Sequence, residues 1–288
     1  MSNLQTPFRY DYVGSFLRPT ELKKARADYE AGSICAEELK SVEDQCIAQL
    51  VAKQKAAGYH VITDGEFRRA TWHLDFMWGF QGIGHQETDC GLPFHDEAAK
   101  IDDTYLTGKL SVNAHRFVEH FKFVKALEDA NTVAKQTIPA PAQFLEQLVM
   151  PMNQETTRTV YPNDDELIAD IVAGYKKVIA DLYAAGCRNI QFDDCTWGCF
   201  VDPHAKLFFG ADDAQLKVLQ KQFQSIIWPS KANPMIWSSI PISAAATSIP
   251  LGPAQALMTR LHRWSLGRKM SMLIIWNLTM SAPEALRL

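Results

Sequence analysis

Two hydrophobic periods alternate along the chain, one typical of buried strands and the other of amphipathic helices. Short apolar runs predict strands at residues 12–16, 60–66, 133–139 and 189–194. Apolar positions of helical period predict helices at residues 20–29, 36–57, 117–130 and 166–185. Thr20 is the predicted N-cap of the first helix, and Gly58 and Gly186 are the predicted ends of the second and fourth. Residues 79–115, which contain five glycines, are predicted to be an irregular excursion.

Strands that alternate with helices predict a parallel sheet. Acidic residues are concentrated at the C-terminal ends of the predicted strands, which favours a (β/α)8 TIM barrel, because active sites form at that face of the fold. A doubly wound sheet is the alternative. It is less favoured, because no glycine-rich phosphate loop follows any predicted strand.

Composition narrows the function classes without choosing one. The 288 residues are 47% hydrophobic and 22% charged, with a formal net charge of −4, which is typical of a globular protein. No basic face indicates a nucleic acid or an anionic membrane as partner. No apolar run reaches the roughly 20 residues of a membrane span, and no signal peptide is recognised. The six scattered cysteines favour reduced thiols and a cytoplasmic location.

Polar residues at three strand ends are the candidate site. Gly14 and Ser15 lie at the C-terminal end of the first predicted strand, Glu66 ends the second, and Asp193 and Asp194 end the strand at 189–194. A carboxylate after a strand is often only a helix cap or a surface charge. A barrel, however, would bring all three ends around one pocket, where a glycine allows close approach of a ligand and paired carboxylates can hold an ammonium group or a metal.

Four motifs in order carry a family resemblance. They are Tyr12-Val-Gly-Ser-Phe-Leu-Arg-Pro19, Ile62-Thr-Asp-Gly-Glu-Phe-Arg-Arg69, Trp72-His-Leu-Asp-Phe76 and Ile190-Gln-Phe-Asp-Asp-Cys-Thr-Trp-Gly198. Over residues 8 to about 224 the chain resembles the single-barrel relatives of the catalytic domain of cobalamin-independent methionine synthase. The resemblance implies a TIM barrel that transfers a methyl group from 5-methyltetrahydrofolate, or another donor, to the sulfur of homocysteine or a similar thiol.

The resemblance also implies roles for four residues. Gly14 and Ser15 match the turn that holds the homocysteine carboxylate, and Glu66 and Asp193 match the carboxylates that hold its ammonium group. For Asp194, His73 and Trp72, a place in the pocket and ordinary buried packing remain equally open.

Zinc is the family's metal, and this chain departs from the family pattern there. The family holds zinc with a His-x-Cys pair, a Glu and a distant Cys, and no His-x-Cys occurs in this sequence. Cys195, Cys199 and His204 lie in the front half, where the family has no ligands, so we interpret them as structural. The sequence therefore predicts no zinc site and no methyltransferase activity for this chain.

Residues 225–288 have a different character from the rest. They carry a charge of +5, against −9 for residues 1–224, and hold four of the seven tryptophans. Read one frame away, the codons of residues 226–237, 241–247 and 267–281 permit family-like sequence, including a His-Leu-Cys zinc motif. We therefore expect residues 1–224 to be the front half of the barrel and residues 225–288 a frameshifted, non-homologous tail of a truncated chain. A divergent C-terminal domain is the alternative.

Five prolines within residues 229–253 predict irregular chain to about Pro253, with helix after it and no barrel strands. Two other functions stay open beside the methyltransferase. One is a catalytically inactive product that binds an amino acid without turnover. The other is a metal-independent lyase or decarboxylase on a related barrel, with Asp193 and Asp194 as its acidic groups.

Overall fold

The structure is a computed structural model. It describes residues 12, 14–86, 91–94, 97–100, 103–201, 206, 209–227, 242–247, 264–265, 271–272 and 274–277. His204 lies outside the described residues.

Two long helices form where the amphipathic patterns are strongest. α2 spans Ala36–Ala56 and α7 spans Asp164–Ala184, each within two residues of the predicted bounds. The Asn163 side chain accepts a hydrogen bond from the Asp165 N–H and caps α7, and acidic residues fill its first turn, where they favour the helix dipole. Gly58 and Gly186 follow the two helices with φ of +83° and +90°, which confirms both predicted ends.

Seven shorter helices complete the helical part of the described chain. They are α1 (Thr20–Glu30), α3 (Leu74–Met77), α4 (Arg116–Ala126), α5 (Pro141–Val149), α6 (Gln154–Val160), α8 (Thr196–Val201) and α9 (Asp213–Ile227). α1 begins at Thr20 itself, with Pro19 in the capping position and no side-chain cap, so the prediction that Thr20 caps this helix is wrong. None of the helices in the described ranges is long and apolar enough to cross a membrane.

A parallel sheet carries the candidate site. β1 (Val61–Ile62) pairs with β6 (Val133–Ala134), and β7 (Gln136–Pro139) pairs with β8 (Ile190–Asp193). Only Lys135 separates β6 from β7, and its N–H donates to the Ile62 carbonyl at 2.9 Å, so residues 133–139 join the two pairs. β9 (Ile242–Thr247) lies parallel to β8, and β12 (Ile274–Asn277) lies parallel to β9.

The order of these strands follows the order of the chain, as in an open segment of a (β/α)8 barrel. A doubly wound sheet would reverse direction at a switch point, and the described strands show no such reversal. The described strands do not close into a barrel, so the structure supports a mixed α/β fold with part of the predicted barrel.

Residues 12–16 do not form the predicted strand. Tyr12 and residues 14–19 are irregular, and the Phe16 N–H makes one hydrogen bond, to the Gly65 carbonyl at 3.1 Å. The side chain of Leu17 is 97% exposed, because no described strand lies beside this segment to cover it.

The described parts of residues 79–115 contain paired strands, so the prediction that this segment is irregular is wrong there. β2 (Gln81–Gln86) pairs antiparallel with β5 (Asp103–Ser111), and β3 (Gly91–Phe94) pairs antiparallel with β4 (Glu97–Lys100). Glycine in this segment allows close strand packing, as Gly82 shows. Gly82 has a φ of +83°, and a Cβ there would lie 2.4 Å from the Lys109 carbonyl oxygen, so the close approach of β2 and β5 requires a glycine.

The expectation of irregular chain and then helix after residue 225 is also wrong in the described parts. β9 extends the sheet beside β8, and β10 (Trp264–Ser265), β11 (Ser271–Met272) and β12 follow it. The prolines do not prevent β9, because Pro241 and Pro250 flank the strand and none lies inside it. The domain boundary at residue 224, the frameshift and the truncation stay predictions.

Candidate functional site

The turn after β1 places Glu66 in an unusual backbone conformation. Gly65 and Glu66 both have left-handed backbones, with φ of +62° and +61°, and Glu66 is the only non-glycine residue with positive φ in the described part of the chain. The Thr63 hydroxyl accepts the Gly65 N–H, and the Asp64 carboxylate accepts the Glu66 N–H at 2.9 Å. A strained residue that its surroundings hold in place is typical of a functional site.

A side chain from α2 fixes this turn. The Gln54 amide accepts a hydrogen bond from the Thr63 N–H and donates one to the Thr63 carbonyl, at 3.0 and 3.1 Å. A Cβ on Gly65 would lie 2.4 Å from the Leu50 side chain, so α2 packs directly on the turn. The long helix thus sets the position of Glu66.

We call six buried side chains at the carboxyl end of the sheet the polar edge. They are Glu66, Arg69, Lys135, Thr137, Gln191 and Asp193. Lys135 and Thr137 lie two residues apart on the strand formed by residues 133–139, and Gln191 and Asp193 do the same on β8. Alternate residues of a strand face the same side of the sheet, and the register pairs Thr137 with Gln191, so the four side chains share one face.

Glu66 is held by two donors at one of its oxygens. Its Oε1 accepts from Arg69 Nη1 at 3.1 Å and from the Thr137 hydroxyl at 3.0 Å. Glu66 is 4% exposed and Arg69 is 1% exposed, so this ion pair lies in the protein interior.

Asp193 is the last residue of β8 and faces the same cluster. Its Oδ1 accepts from Gln191 Nε2 at 2.6 Å, and Gln191 Oε1 accepts in turn from Lys135 Nζ at 2.9 Å. Burial, together with the negative charge of Glu66, raises the pKa of Asp193 to about 7. The Gln191 hydrogen bond and the positive charges of Arg69 and Lys135 oppose that rise. At neutral pH, Asp193 therefore exists in both its protonated and its ionised form.

Gly14 and Ser15 lie exposed on the loop that Phe16 ties to Gly65. Glu66 follows β1 and Asp193 ends β8, so both lie at the carboxyl end of the parallel strands. Convergence of all four on a single ligand pocket stays a prediction.

The remaining candidates have structural partners. Asp194 Oδ1 accepts a hydrogen bond at 3.0 Å from the N–H of Thr196, the first residue of α8. His73 is buried, its ring lies 4.6 Å from that of Trp72, and no partner is found for its Nδ1. Burial lowers the pKa of His73 to about 4, and a hydrogen bond with Gln147 opposes that shift, so the imidazole is neutral at physiological pH.

Cys195 and Cys199 lie near a buried acid on α5. Cys195 Sγ lies 2.8 Å from Gln143 Oε1, and burial raises its pKa well above the usual range. Burial also raises the pKa of Glu146 to about 7, although hydrogen bonds with Cys199 and Thr196 oppose that rise.

These residues do not make a metal site. No group of three or more His, Cys, Asp or Glu side chains in the described part of the chain is arranged to hold a metal ion. The donor set therefore does not fit a catalytic zinc ion, which takes three protein ligands.

Sequence reasoning missed four members of the polar edge. Thr137 and Gln191 are ordinary strand residues, and only a register could have paired them. Arg69 belongs to the second family motif, and Lys135 is the one charged residue of the predicted strand at residues 133–139. A charged residue inside a buried strand needs a buried partner, and that signal could have pointed to Lys135.

Several known proteins are similar in sequence to part of this chain. No family model matches it. The uncharacterized protein YxjH of Bacillus subtilis is 36% identical over 198 residues, which are 69% of this chain and 51% of that protein. A methionine synthase of Saccharolobus solfataricus is 23% identical over 198 residues, 65% of this chain and 55% of that enzyme. The chain spans about half the length of the curated relatives it matches.

One solved structure is similar to this chain in both fold and sequence. A Listeria monocytogenes protein named "Putative Vitamin-B12 Independent Methionine Synthase" matches with a TM-score of 0.64 and 29% identity. The match covers 85% of this chain and 67% of that one.

Proposed function

The chain is related to the B12-independent methionine synthases, and on that premise we propose that its polar edge binds homocysteine or a similar amino thiol for methylation at sulfur. Methyl transfer converts the thiol into a thioether, with methionine as the product from homocysteine. The methyl donor in this proposal is 5-methyltetrahydrofolate or another methylated compound.

The paired carboxylates carry the proposal. Glu66 and Asp193 are buried at one end of the sheet, close enough that the charge of Glu66 raises the pKa of Asp193. An ammonium group between them would replace the proton on Asp193, because a nearby positive charge favours the ionised carboxyl. Binding of an amine should therefore release part of a proton near pH 7.

The other end of the amino acid would meet Gly14 and Ser15. Their loop joins the Glu66 turn through the hydrogen bond from Phe16 to Gly65. Exposed backbone N–H groups and the Ser15 hydroxyl are donors suited to a carboxylate. The ligand's two charged ends would then fix its orientation and leave the thiol-bearing side chain directed away from the polar edge.

In the family, zinc supplies the thiolate that accepts the methyl group. The described residues do not fit that metal, which favours a second candidate function, amino-acid binding without turnover. The structure supports the amino-acid recognition part of the reaction, and residues 1–224 would carry that part as the front half of the barrel.

Calorimetry with L-homocysteine, L-methionine and 4-(methylthio)butanoate, which lacks the amine, tests the proposal. We expect the two amino acids to bind and the amine-free compound to bind at least about tenfold more weakly, since a charged hydrogen-bonded pair contributes about 1.5–3 kcal/mol. Glu66→Gln and Asp193→Asn should remove that preference. Glu119→Gln, at a 73% exposed side chain, is the matched control and should not.

Turnover separates the two candidate functions. Purified protein is assayed for methionine formation from homocysteine and 5-methyltetrahydrofolate, with its zinc content measured beside it. Binding without turnover and without stoichiometric zinc would support amino-acid binding alone. Equal affinity for the amino acids and the amine-free compound would contradict the proposed site.

A further inference from the structure

Arg69 is the largest side chain in the chain's described interior that is almost wholly buried. Nη1 donates to Glu66 at 3.1 Å and Nη2 donates to the carbonyl and the hydroxyl of Thr137, at 2.6 and 2.8 Å. Its guanidinium lies over the Phe117 ring, 4.5 Å from the centroid. The planar group thus links the turn after β1 to the neighbouring strand β7.

Such a buried cation costs free energy unless it is paired well, and this one is incompletely satisfied. Nε of Arg69 has no hydrogen-bond partner. Replacing a buried ion pair with apolar residues of similar size is often neutral or stabilising. Stability alone therefore does not explain why an arginine occupies this position.

The contacts constrain Glu66 closely. Arg69 Nη1 and the Thr137 hydroxyl both meet Oε1, and Arg69 Nη2 also donates to that hydroxyl, so the three groups form a closed triangle. Combined with the left-handed backbone at Glu66, the triangle fixes one carboxylate oxygen and determines where the other lies.

Arg69 acts on the second carboxyl through its charge. It lowers the pKa of Asp193, against the burial and the Glu66 charge that raise it. Removing the guanidinium would leave two buried acids with less positive charge near them, so Asp193 would hold its proton to higher pH.

We propose that Arg69 is a positioning residue for amine recognition: it orients the Glu66 carboxylate and balances the charge of Glu66 and Asp193, so that the pair accepts a ligand's ammonium group. This inference rests on the proposed function for the identity of the ligand. Its effect on the two carboxyls holds without any ligand.

The binding test uses Arg69→Gln and Arg69→Lys with L-methionine and 4-(methylthio)butanoate. A tenfold or greater loss of methionine affinity is expected for Arg69→Gln, with little change for the amine-free compound. Arg69→Lys keeps the charge but not the forked geometry, and should recover part of the affinity. A merely structural role would weaken both ligands equally.

Arg68→Gln is the matched control. Arg68 is also buried, with 5% of its side chain exposed, but it pairs with Glu43 and Asp44 on α2. Arg68→Gln should leave the preference for the amine-bearing ligand unchanged. A loss of methionine affinity equal to that of Arg69→Gln would overturn the inference.

A ligand-free measurement separates this inference from the proposed function. Carbon-13 NMR of labelled aspartate should show the pKa of Asp193 rising above about 7 in Arg69→Gln and staying the same in Arg68→Gln. That result without amino-acid binding would remove the proposed function and keep the charge-balancing role. An unchanged Asp193 pKa in folded Arg69→Gln would overturn the role even if methionine binds.

Discussion

An aromatic cluster and the polar edge lie side by side in the same interior and are built on opposite principles. The aromatic cluster consists of Phe76, Phe80, Phe117, Phe144 and Tyr175, whose neighbouring ring centroids lie 4.9–6.2 Å apart. Burial of its rings away from water stabilises the folded chain. The polar edge buries ionisable groups that lose their hydration. Only ion pairs and hydrogen bonds inside the protein offset that free-energy cost.

The contrast separates stability from function. A protein that needed only a stable interior could fill the polar edge with apolar side chains, as it fills the aromatic cluster. Buried charges there, with a strained residue at their centre, support the proposal that the edge serves recognition. Substitutions in the cluster should therefore affect unfolding most, and substitutions in the edge should affect binding most.

The largest expected effect comes from Phe144→Ala. Phe144 is fully buried and lies 4.9 Å from Phe80, so removing its ring leaves a cavity at the centre of the cluster. We expect the free energy of unfolding to fall by about 3–5 kcal/mol, measured by urea denaturation. Phe144→Leu, which keeps most of the volume, is the control and should cost less. If Glu66→Gln lowers the free energy of unfolding as much as Phe144→Ala does, the contrast between the aromatic cluster and the polar edge is contradicted.

The sequence predicts the long helices better than it predicts the polar edge. α2 and α7 are long enough for the helical period to be unambiguous, and their predicted bounds agree with the structure to within two residues. The short strands β1 and β8 are also found where apolar runs lie. The prediction of irregular chain for residues 79–115 is wrong in the described parts, because glycines there allow close packing of strands.

The polar edge depends on register, which one sequence does not reveal. Glu66 and Asp193 were proposed from strand ends and from a resemblance to known proteins. Arg69 and Lys135 were missed, because charged side chains are mostly exposed and only their neighbours in space justify burying them. The strand β9 was not predicted, because only the number of prolines in residues 229–253 was considered. The positions of Pro241 and Pro250, on either side of the strand, are compatible with β9.

A second, smaller effect is the pH dependence of stability. Burial raises the pKa of both Asp193 and Glu146 to about 7, from 3.8 and 4.5 in model compounds. At these two carboxyls the folded chain therefore binds more protons than the unfolded chain between about pH 4 and pH 7, whereas at the buried His73 and His115, whose pKa values burial lowers to about 4, it binds fewer. The contribution of Asp193 to the free energy of unfolding should fall as pH rises through that window and level off above it, by at most about 4 kcal/mol, while the two histidines contribute with the opposite sign.

Denaturation at pH 5 and pH 8 measures this slope. Asp193→Asn should remove its share and make the variant more stable than the wild type at pH 8 relative to pH 5, and Glu146→Gln should do the same for its own share. Glu119→Gln should leave the slope unchanged, because that side chain is exposed. If the stability of Asp193→Asn relative to the wild type does not rise between pH 5 and pH 8, the polar edge holds Asp193 ionised in the absence of ligand.

The smallest effect, Gly174→Ala, tests whether the aromatic cluster is specified by shape as the polar edge is by charge. Gly174 lies inside α7, where alanine would ordinarily stabilise a helix by about 1 kcal/mol. A Cβ there would lie 2.2 Å from Phe80 Cε1, and Phe80 is itself only 4% exposed within the cluster, so the ring has little room to move. Overpacking costs about 1–3 kcal/mol and should outweigh the helical gain, leaving a net loss of roughly 1 kcal/mol in the free energy of unfolding. The same substitution in a Phe80→Leu background removes the clash and should become neutral or stabilising. If Gly174→Ala stabilises the wild-type chain, the cluster is loosely packed and its contrast with the polar edge is one of polarity alone.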